Sequence, residues 1–266
     1  MVLTTAAGAD RKRYFTGTAI SQQRVHLFDE SFKLLASYPE DALENRHAGI
    51  WDAQLADLDG DGTLELYVGY WGPVGVQGAT LEGRHKWSYG RIASVMRLAA
   101  GGPDPKGQRL LWCTHNRGTL VGLDAGGNPQ GELAVQDRPI HSIFAADLTG
   151  DGQPEWCGLL SVAEVGRTVA IGLNLRGEEL WTYEVPKGVH ELPVEPVIPG
   201  RLSSSGPGQW LLPGPDGSIH ILGADGKLID RFDYGASVRG LATATLGGQP
   251  ALIVATPEGV EAWRVQ

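Results

Sequence analysis

The residues with the clearest chemical signature are the acids of Asp57-Leu58-Asp59-Gly60-Asp61-Gly62-Thr63-Leu64-Glu65. Carboxylates occupy positions one, three, five and nine of this stretch, and Gly62 holds position six. Alternate side chains of a tight turn converge on one side, a glycine allows the sharp bend, and the carbonyl of residue seven, here Thr63, points inward. The chemistry that suits this spacing is coordination of a hard cation such as Ca²⁺ by Asp57, Asp59, Asp61 and Glu65 with the Thr63 carbonyl. Four negative charges this close repel one another unless something neutralises them. A polar Asp-Gly hairpin turn that binds nothing is the alternative.

The pattern recurs 90 residues further on as Asp147-Leu148-Thr149-Gly150-Asp151-Gly152-Gln153-Pro154-Glu155. Here Asp147, Asp151 and Glu155 remain, with the Gln153 carbonyl at position seven. Thr149 replaces the middle carboxylate and offers only a neutral hydroxyl or a bridging water. The expectation is therefore one Ca²⁺ at the first loop and a weaker second site. Neither loop is an EF-hand: the twelfth position of the first is Val68, not a bidentate Glu, and its flanks are short and strand-like.

Other chemistry is sparse. The chain has no Gly-x-Ser-x-Gly elbow, no His-Glu-x-x-His and no phosphate loop. Glu191 and Glu195 are conceivable as an acid–base pair, but on a loop-rich surface they read first as solvated. Cys113 and Cys157, the two cysteines, lie in apolar strand-like runs and read as buried free thiols. A formal net charge of −9 over 266 residues weighs against nucleic acid and anionic membrane as partners. No apolar run is long enough to cross a bilayer, and Met1-Val2-Leu3-Thr4 does not open a signal peptide.

The elements that must position these loops are short strands in a repeated unit. From Gly49, a strand over Trp51 to Ala56 enters the acidic loop, and Leu66 to Tyr70 leaves it. A third strand over Gly75 to Leu81 and a fourth over His85 to Tyr89 are turned at Glu82-Gly83-Arg84. Four short strands in about 40 residues is the size of one β-propeller blade. The same script repeats along the chain, with outer turns at Gly126-Gly127-Asn128, Arg176-Gly177 and Asp225-Gly226. It places a fifth-unit first strand over Glu195 to Ile198 and last-unit strands over Val238 to Thr245, Ala251 to Thr256 and Gly259 to Val265. The expected fold is all-β: one six-bladed propeller over 1–266 with antiparallel four-stranded blades. Its blades span approximately 1–48, 49–90, 91–137, 138–188, 189–235 and 236–266. Val2 to Ala6 is expected as the first strand of the first blade, leaving the last blade short; the alternative is that it crosses over to complete the last blade.

The acidic loops with their lead-in alanines, Ala56 to Gly62 and Ala146 to Gly152, resemble the FG-GAP/VCBS repeats, calcium-loop propeller repeats also found in integrin α-chains. The outer hairpins, Leu81 to Trp87 and Leu175 to Trp181, resemble quinoprotein (PQQ-type) repeats. The first resemblance implies structural calcium tying the first strand of a blade to the second, and an extracytoplasmic or secreted setting. The second implies at most a quinoprotein-like oxidoreductase, whose family commonly has eight blades.

In a four-stranded blade, the second-to-third loops and the blade connections share the face opposite the acidic loops. That face collects Arg46, His47, Tyr70, Trp71, Arg91, His115, Asn116, Arg117, Arg138, His141, His190 and Arg239. Units aligned on Asp57 and Asp147 put Trp51 opposite His141, and Arg239 starts the corresponding strand of the last unit. Basic and aromatic groups gathered on an acidic protein suit an anionic small molecule, a glycan or a protein surface. Scattered loop residues, or arginines paired with acids such as Asp52 or Asp137, are the alternatives. The function expected is a calcium-stabilised binding or interaction module. The rivals are a calcium-dependent carbohydrate-active or quinoprotein-like enzyme, and a structural module of a larger protein.

Overall fold

The computed structural model describes residues 2–8, 12–18, 23–40, 49–103, 107–133, 140–162, 167–174, 176–188 and 195–265. Every regular element among them is a β-strand. The chain divides into two compact units, Met1–Ile143 and Phe144–Gln266.

The first unit holds three antiparallel four-stranded sheets. These are β1 (Val2–Ala7), β2 (Arg13–Thr18), β3 (Val25–Phe28) and β4 (Leu34–Tyr38); then β5 (Gly49–Ala56), β6 (Glu65–Trp71), β7 (Val76–Thr80) and β8 (His85–Tyr89). The third is β9 (Val95–Ala100), β10 (Leu111–His115), β11 (Leu120–Leu123) and β12 (Pro129–Leu133). A fourth sheet follows with β13 (Ile140–Ala146), β14 (Glu155–Val162), β15 (Arg167–Leu173) and β16 (Glu179–Glu184). The second unit continues with β17 (Ile198–Gly200), β18 (Gln209–Pro213), β19 (Ser218–Gly223) and β20 (Leu228–Asp233). The last sheet has three strands, β21 (Gly240–Leu246), β22 (Gln249–Thr256) and β23 (Gly259–Arg264).

Burial follows from strand position. The middle strands β10 and β18 are buried along their whole length, so they read as apolar runs without alternation. Outer strands are half in water, and β16 alternates with a period of two. Apolar side chains of neighbouring sheets merge into shared cores. Ile50, Val68 and Tyr70 pack with Val25, Leu27 and Tyr38, and Tyr67 and Val76 with Leu98, Leu111 and Cys113. In the second unit, Trp210 and Leu212 pack with Cys157 and Leu159. Both thiols are free and fully buried, and burial pushes each of them up from the ordinary cysteine range.

The outer hairpins repeat one geometry in five sheets. The amides of Asp29, Thr80, Asp124, Asn174 and Gly223 each donate to the carbonyl four residues on, at 2.9–3.1 Å. The residue before the closing one has a positive φ: Gly83, Gly127, Gly177 and Gly226 at 75–79°, and Phe32 at 60° in the first sheet. Glycine suits this left-handed position. Phe32 occupies it with its ring stacked on Phe15 at 4.9 Å.

Three expectations are resolved here. β1 pairs with β2 from Val2↔Thr18 to Ala7↔Arg13, so the crossover alternative does not occur and the last sheet is the short one. The first strand of the fifth sheet is Ile198–Gly200, not Glu195 to Ile198. Pro196 has no amide to donate to a strand ladder, which delays the strand. The last sheet's first strand starts at Gly240, two residues later than expected, although the Arg239 amide already donates to Ala255 at 2.7 Å.

Candidate functional site

The first acidic loop joins β5 to β6 and is built by its own aspartates. Asp57 Oδ1 accepts from the Gly60 amide at 2.7 Å, and its Oδ2 from Gly62 at 3.1 Å. Asp59 Oδ1 accepts from Asp61 at 3.2 Å, and Asp61 Oδ1 from Thr63 at 2.7 Å. Gly60 and Gly62 take φ of 77° and 89°, which lets the chain wrap around the carboxylates. One oxygen each from Asp57, Asp59 and Asp61 falls within 4.8 Å of the others. Ligand oxygens 2.3–2.6 Å from a calcium ion sit at about such mutual distances, so these three fit the ion. The Thr63 amide holds the Asp61 carboxyl below the usual carboxylate range.

Glu65 is placed differently. Its side chain is buried, and Lys86 Nζ donates to Oε1 at 2.7 Å while the Tyr67 hydroxyl donates to Oε2 at 3.1 Å. That hydrogen bond raises the Lys86 ammonium, and burial with the adjacent Glu65 raises the Tyr67 hydroxyl. A second cation reaches the loop from the neighbouring sheet: Arg109 Nη1 donates to the Asp57 carbonyl at 2.8 Å and lies 3.3 Å from its Oδ2. Lys86 and Arg109 therefore offset part of the loop's negative charge without any ion. Neither stood out in the sequence, because each comes from a different hairpin, 21 and 52 residues from its acid.

The loop between β13 and β14 repeats the scaffold. Asp147 accepts from Gly150 and Gly152 at 2.6 and 3.0 Å, and Asp151 from Gln153 at 2.8 Å. The difference lies at Thr149, whose hydroxyl donates to Glu155 Oε1 at 2.9 Å while the Leu148 amide donates to Oε2 at 2.7 Å. Glu155 is thus committed within the loop. Among the described residues, the only three-carboxylate convergence of this kind is that of Asp57, Asp59 and Asp61.

The residues expected on the opposite face fall into three groups. Arg46, His47, Arg138, His190 and Asp137 lie outside the described residues. Tyr70 is core, fully buried, with its hydroxyl donating to Gln77 Oε1 at 2.9 Å beside that of Tyr38 at 2.8 Å. The remainder line strand ends. Trp71 packs on Trp51 with ring centroids 4.9 Å apart. His115 bonds Thr119 through Nε2 at 2.7 Å, and burial holds its imidazole below the usual range. Asn116 and Arg117 are exposed in the same β10–β11 loop. That loop abuts the start of β13: the Ile140 amide donates to Gly118 at 3.0 Å, and Thr114 Oγ1 to the carbonyl of His141 at 3.0 Å. The structure thus brings His115, Asn116, Arg117 and His141 to one locality in the first unit. His141 Nδ1 is buried without a hydrogen-bond partner. In the second unit, Arg239 Nη1 is likewise buried without one.

No family model matches the chain, and no curated protein does. Solved structures do match over nearly the whole chain. The N-terminal part of BBS1, crystallised in complex with ARL6, superposes with a TM-score of 0.64 at 12% identity, covering 98% of this chain and 78% of that one. The Dos1 propeller gives 0.61 at 11% identity, covering 99% and 68%. BamB from Moraxella catarrhalis gives 0.52 at 15% identity, covering 97% and 80%. The fold is a six-bladed β-propeller. Each sheet is a blade: the acidic loops join first to second strands in blades two and four, and blade six has three strands.

Sequence reasoning missed two polar networks of this propeller. Asp52, fully buried in blade two, accepts from the Leu98 amide of blade three at 2.7 Å and from its neighbour Ala53 at 2.9 Å, with Arg97 Nε 3.7 Å away. Burial raises its carboxyl above the usual range despite Arg97. In blade five, Ser218 links Asp216 to His220 Nε2, and His220 Nδ1 meets the Tyr183 hydroxyl of blade four at 2.6 Å. The period-two spacing of Asp216, Ser218 and His220 was the available signal.

Proposed function

We propose that this propeller is a calcium-stabilised interaction module that binds a protein partner through an anionic group on the face opposite the acidic loops. Two of the buried polar side-chain atoms without a hydrogen-bond partner, His141 Nδ1 in the first unit and Arg239 Nη1 in the second, each support the binding reading on their own. A buried polar group without a partner costs about 1–3 kcal/mol, a cost that a bound acceptor relieves. Both residues belong to positions that the repeat alignment assigns to the starts of first strands. A guanidinium takes a carboxylate by two parallel hydrogen bonds, and the neutral ring of His141 can donate or accept. That the BBS1 structure holds a bound protein supports the use of such a scaffold for partners.

In this reading calcium is held by Asp57, Asp59 and Asp61, with the Thr63 carbonyl. Glu65 joins only if Lys86 releases it. The second loop, lacking a middle carboxylate, contributes a weaker site through Asp147, Asp151 and the Gln153 carbonyl, with Thr149 and Glu155 tied to each other. The ion would neutralise the loop and stiffen the β5–β6 connection.

The test is affinity capture with identification by mass spectrometry, followed by reconstitution with the purified partner. Partner affinity should fall at least tenfold in both His141→Ala and Arg239→Ala, with melting temperature retained. Unchanged affinity in both folded variants defeats the reading, as does turnover of a glycan or quinone-dependent substrate without a protein partner.

A further inference from the structure

The four carboxylates of the first acidic loop have cations of other hairpins set against them. Lys86 Nζ, from β8, donates to Glu65 Oε1 at 2.7 Å, and the Lys86 side chain is half-buried. The charges of Asp59 and Asp61 act on the same ammonium. Arg109 comes from the connection between β9 and β10. Its Nη1 donates to the Asp57 carbonyl at 2.8 Å and lies over Gly60, 3.7 Å from where a Cβ would stand. Both cations belong to segments outside the loop, so they show independently of its own turns that this surface draws positive charge. Four carboxylates against two cations leave two negative charges, the complement of one divalent ion.

The two cations are held differently. Arg109 donates to a main-chain carbonyl and rests on Gly60, so it fixes where the loop sits. Lys86 instead takes an oxygen of Glu65, the one acid of the loop outside the convergence of Asp57, Asp59 and Asp61. Glu65 is buried, and the Tyr67 hydroxyl donates to its other oxygen at 3.1 Å. A buried carboxylate left without a partner is strongly destabilising, and Lys86 supplies that partner. An ammonium is a point charge on a flexible four-carbon stem, which can swing it into water. A divalent ion brings twice the charge to the same carboxylates. In the second loop the ninth-position acid, Glu155, is held by neutral donors of its own loop, the Thr149 hydroxyl and the Leu148 amide.

We propose that Lys86 is a displaceable internal counter-ion: it masks Glu65 when calcium is absent, and calcium drives it off and takes Glu65 as a further ligand. This rests on the calcium reading of the first loop. Lys86 then sets how much calcium the loop needs, because an ion that enters with Glu65 must first break the Lys86–Glu65 pair. Affinity in oxygen-ligand calcium sites follows the number of charged ligands, so unmasking one carboxylate tightens the site. Arg109, bound to the main chain, stays in place throughout.

The test is calcium titration by calorimetry of the chelator-stripped wild type, Lys86→Met, Glu65→Gln and the double variant. Lys86→Met should bind calcium at least fivefold more tightly than the wild type. Glu65→Gln should weaken binding less than threefold in the wild type but at least tenfold in the Lys86→Met background, where Glu65 is unmasked. The double-mutant cycle isolates that coupling. Arg109→Met also removes a positive charge but leaves Glu65 held, so it should show no coupling to Glu65→Gln. A second readout is acetylation of Lys86 by an amine-reactive ester, followed by peptide mass spectrometry. Its rate should rise at least threefold on adding calcium, while that of the exposed Lys33 stays constant. Should Lys86→Met fail to fold, Lys86→Gln keeps a donor for Glu65 without the charge, and should tighten calcium binding at least threefold. If the wild type binds calcium, unchanged or weaker binding by the folded Lys86 variants, or a labelling rate indifferent to calcium, overturns the proposal and leaves the calcium reading standing. Binding by the Lys86 variants alone supports the mask and defeats the calcium reading for the native chain. Absence of binding in every variant defeats both.

Discussion

The indole of Trp87 lies across Gly127 of the next blade, so closely that a Cβ on Gly127 would fall 2.4 Å from the ring. The other side of the indole rests against Gly78 of its own blade, and Nε1 donates to the Ala125 carbonyl at 2.8 Å. Trp181 repeats the arrangement in the second unit, against Gly172 and Gly226, with Nε1 donating to Ala224 at 3.1 Å. These clamps join blade two to three and blade four to five. Gly127→Ala and Gly226→Ala should each cost more than about 2 kcal/mol, combining left-handed strain with displacement of the ring. Gly150, at φ 78° but with nothing within 4 Å, isolates the strain, so Gly150→Ala should cost only about 1–2 kcal/mol. Urea unfolding of the three variants measures the difference; equal losses would contradict the clamp.

Calcium should raise the melting temperature. A ligand at a hundredfold excess over its Kd stabilises by about 2.7 kcal/mol. Asp59→Ala should remove most of this response, because the convergence of Asp57, Asp59 and Asp61 is broken. Thr149→Asp should add a second calcium-dependent increment by restoring the acid and freeing Glu155. Scanning calorimetry with and without a chelator reads both outcomes, and a calcium-insensitive wild type would refute the metal reading.

Asp52 ties two blades through one carboxylate. Asp52→Ala would leave the buried Leu98 amide unpaired and Arg97 without its acid, with an expected loss of about 3 kcal/mol. Asp52→Asn keeps one acceptor oxygen and should lose less. Denaturant midpoints for the pair rank the two.

Acid should weaken the fold before any carboxylate with a lowered pKa titrates. Burial holds His115 and His220 below the ordinary value of 6.5, so the unfolded chain binds protons that the folded chain refuses. Stability is then lost as pH falls from 6.5 towards those lowered values. The lowered carboxylates, Asp29, Asp61 and Asp225, act only below their ordinary 3.8. Melting temperature should decline between pH 7 and 5, and His220→Gln should flatten that decline. A flat profile in the wild type would show that neither histidine is shielded.

The amino-acid sequence by itself determined the strand periodicity, the blade count, the outer turns and the two acidic loops. Each rests on contacts within one hairpin: period-two burial, a glycine at a left-handed position, an aspartate capping amides two to five residues on. In the first outer turn Phe32 takes the left-handed position that glycine holds in the others. The tertiary structure alone decided what depends on a neighbouring strand or blade. Lys86 claims Glu65 from another hairpin, Arg109 reaches Asp57, Asp52 bonds Leu98, and Tyr70 turns inward to Gln77. Residue types and spacings encode which groups a strand carries to each face. Which partners those groups meet is set by blade packing, where separation along the chain carries no record of distance in space.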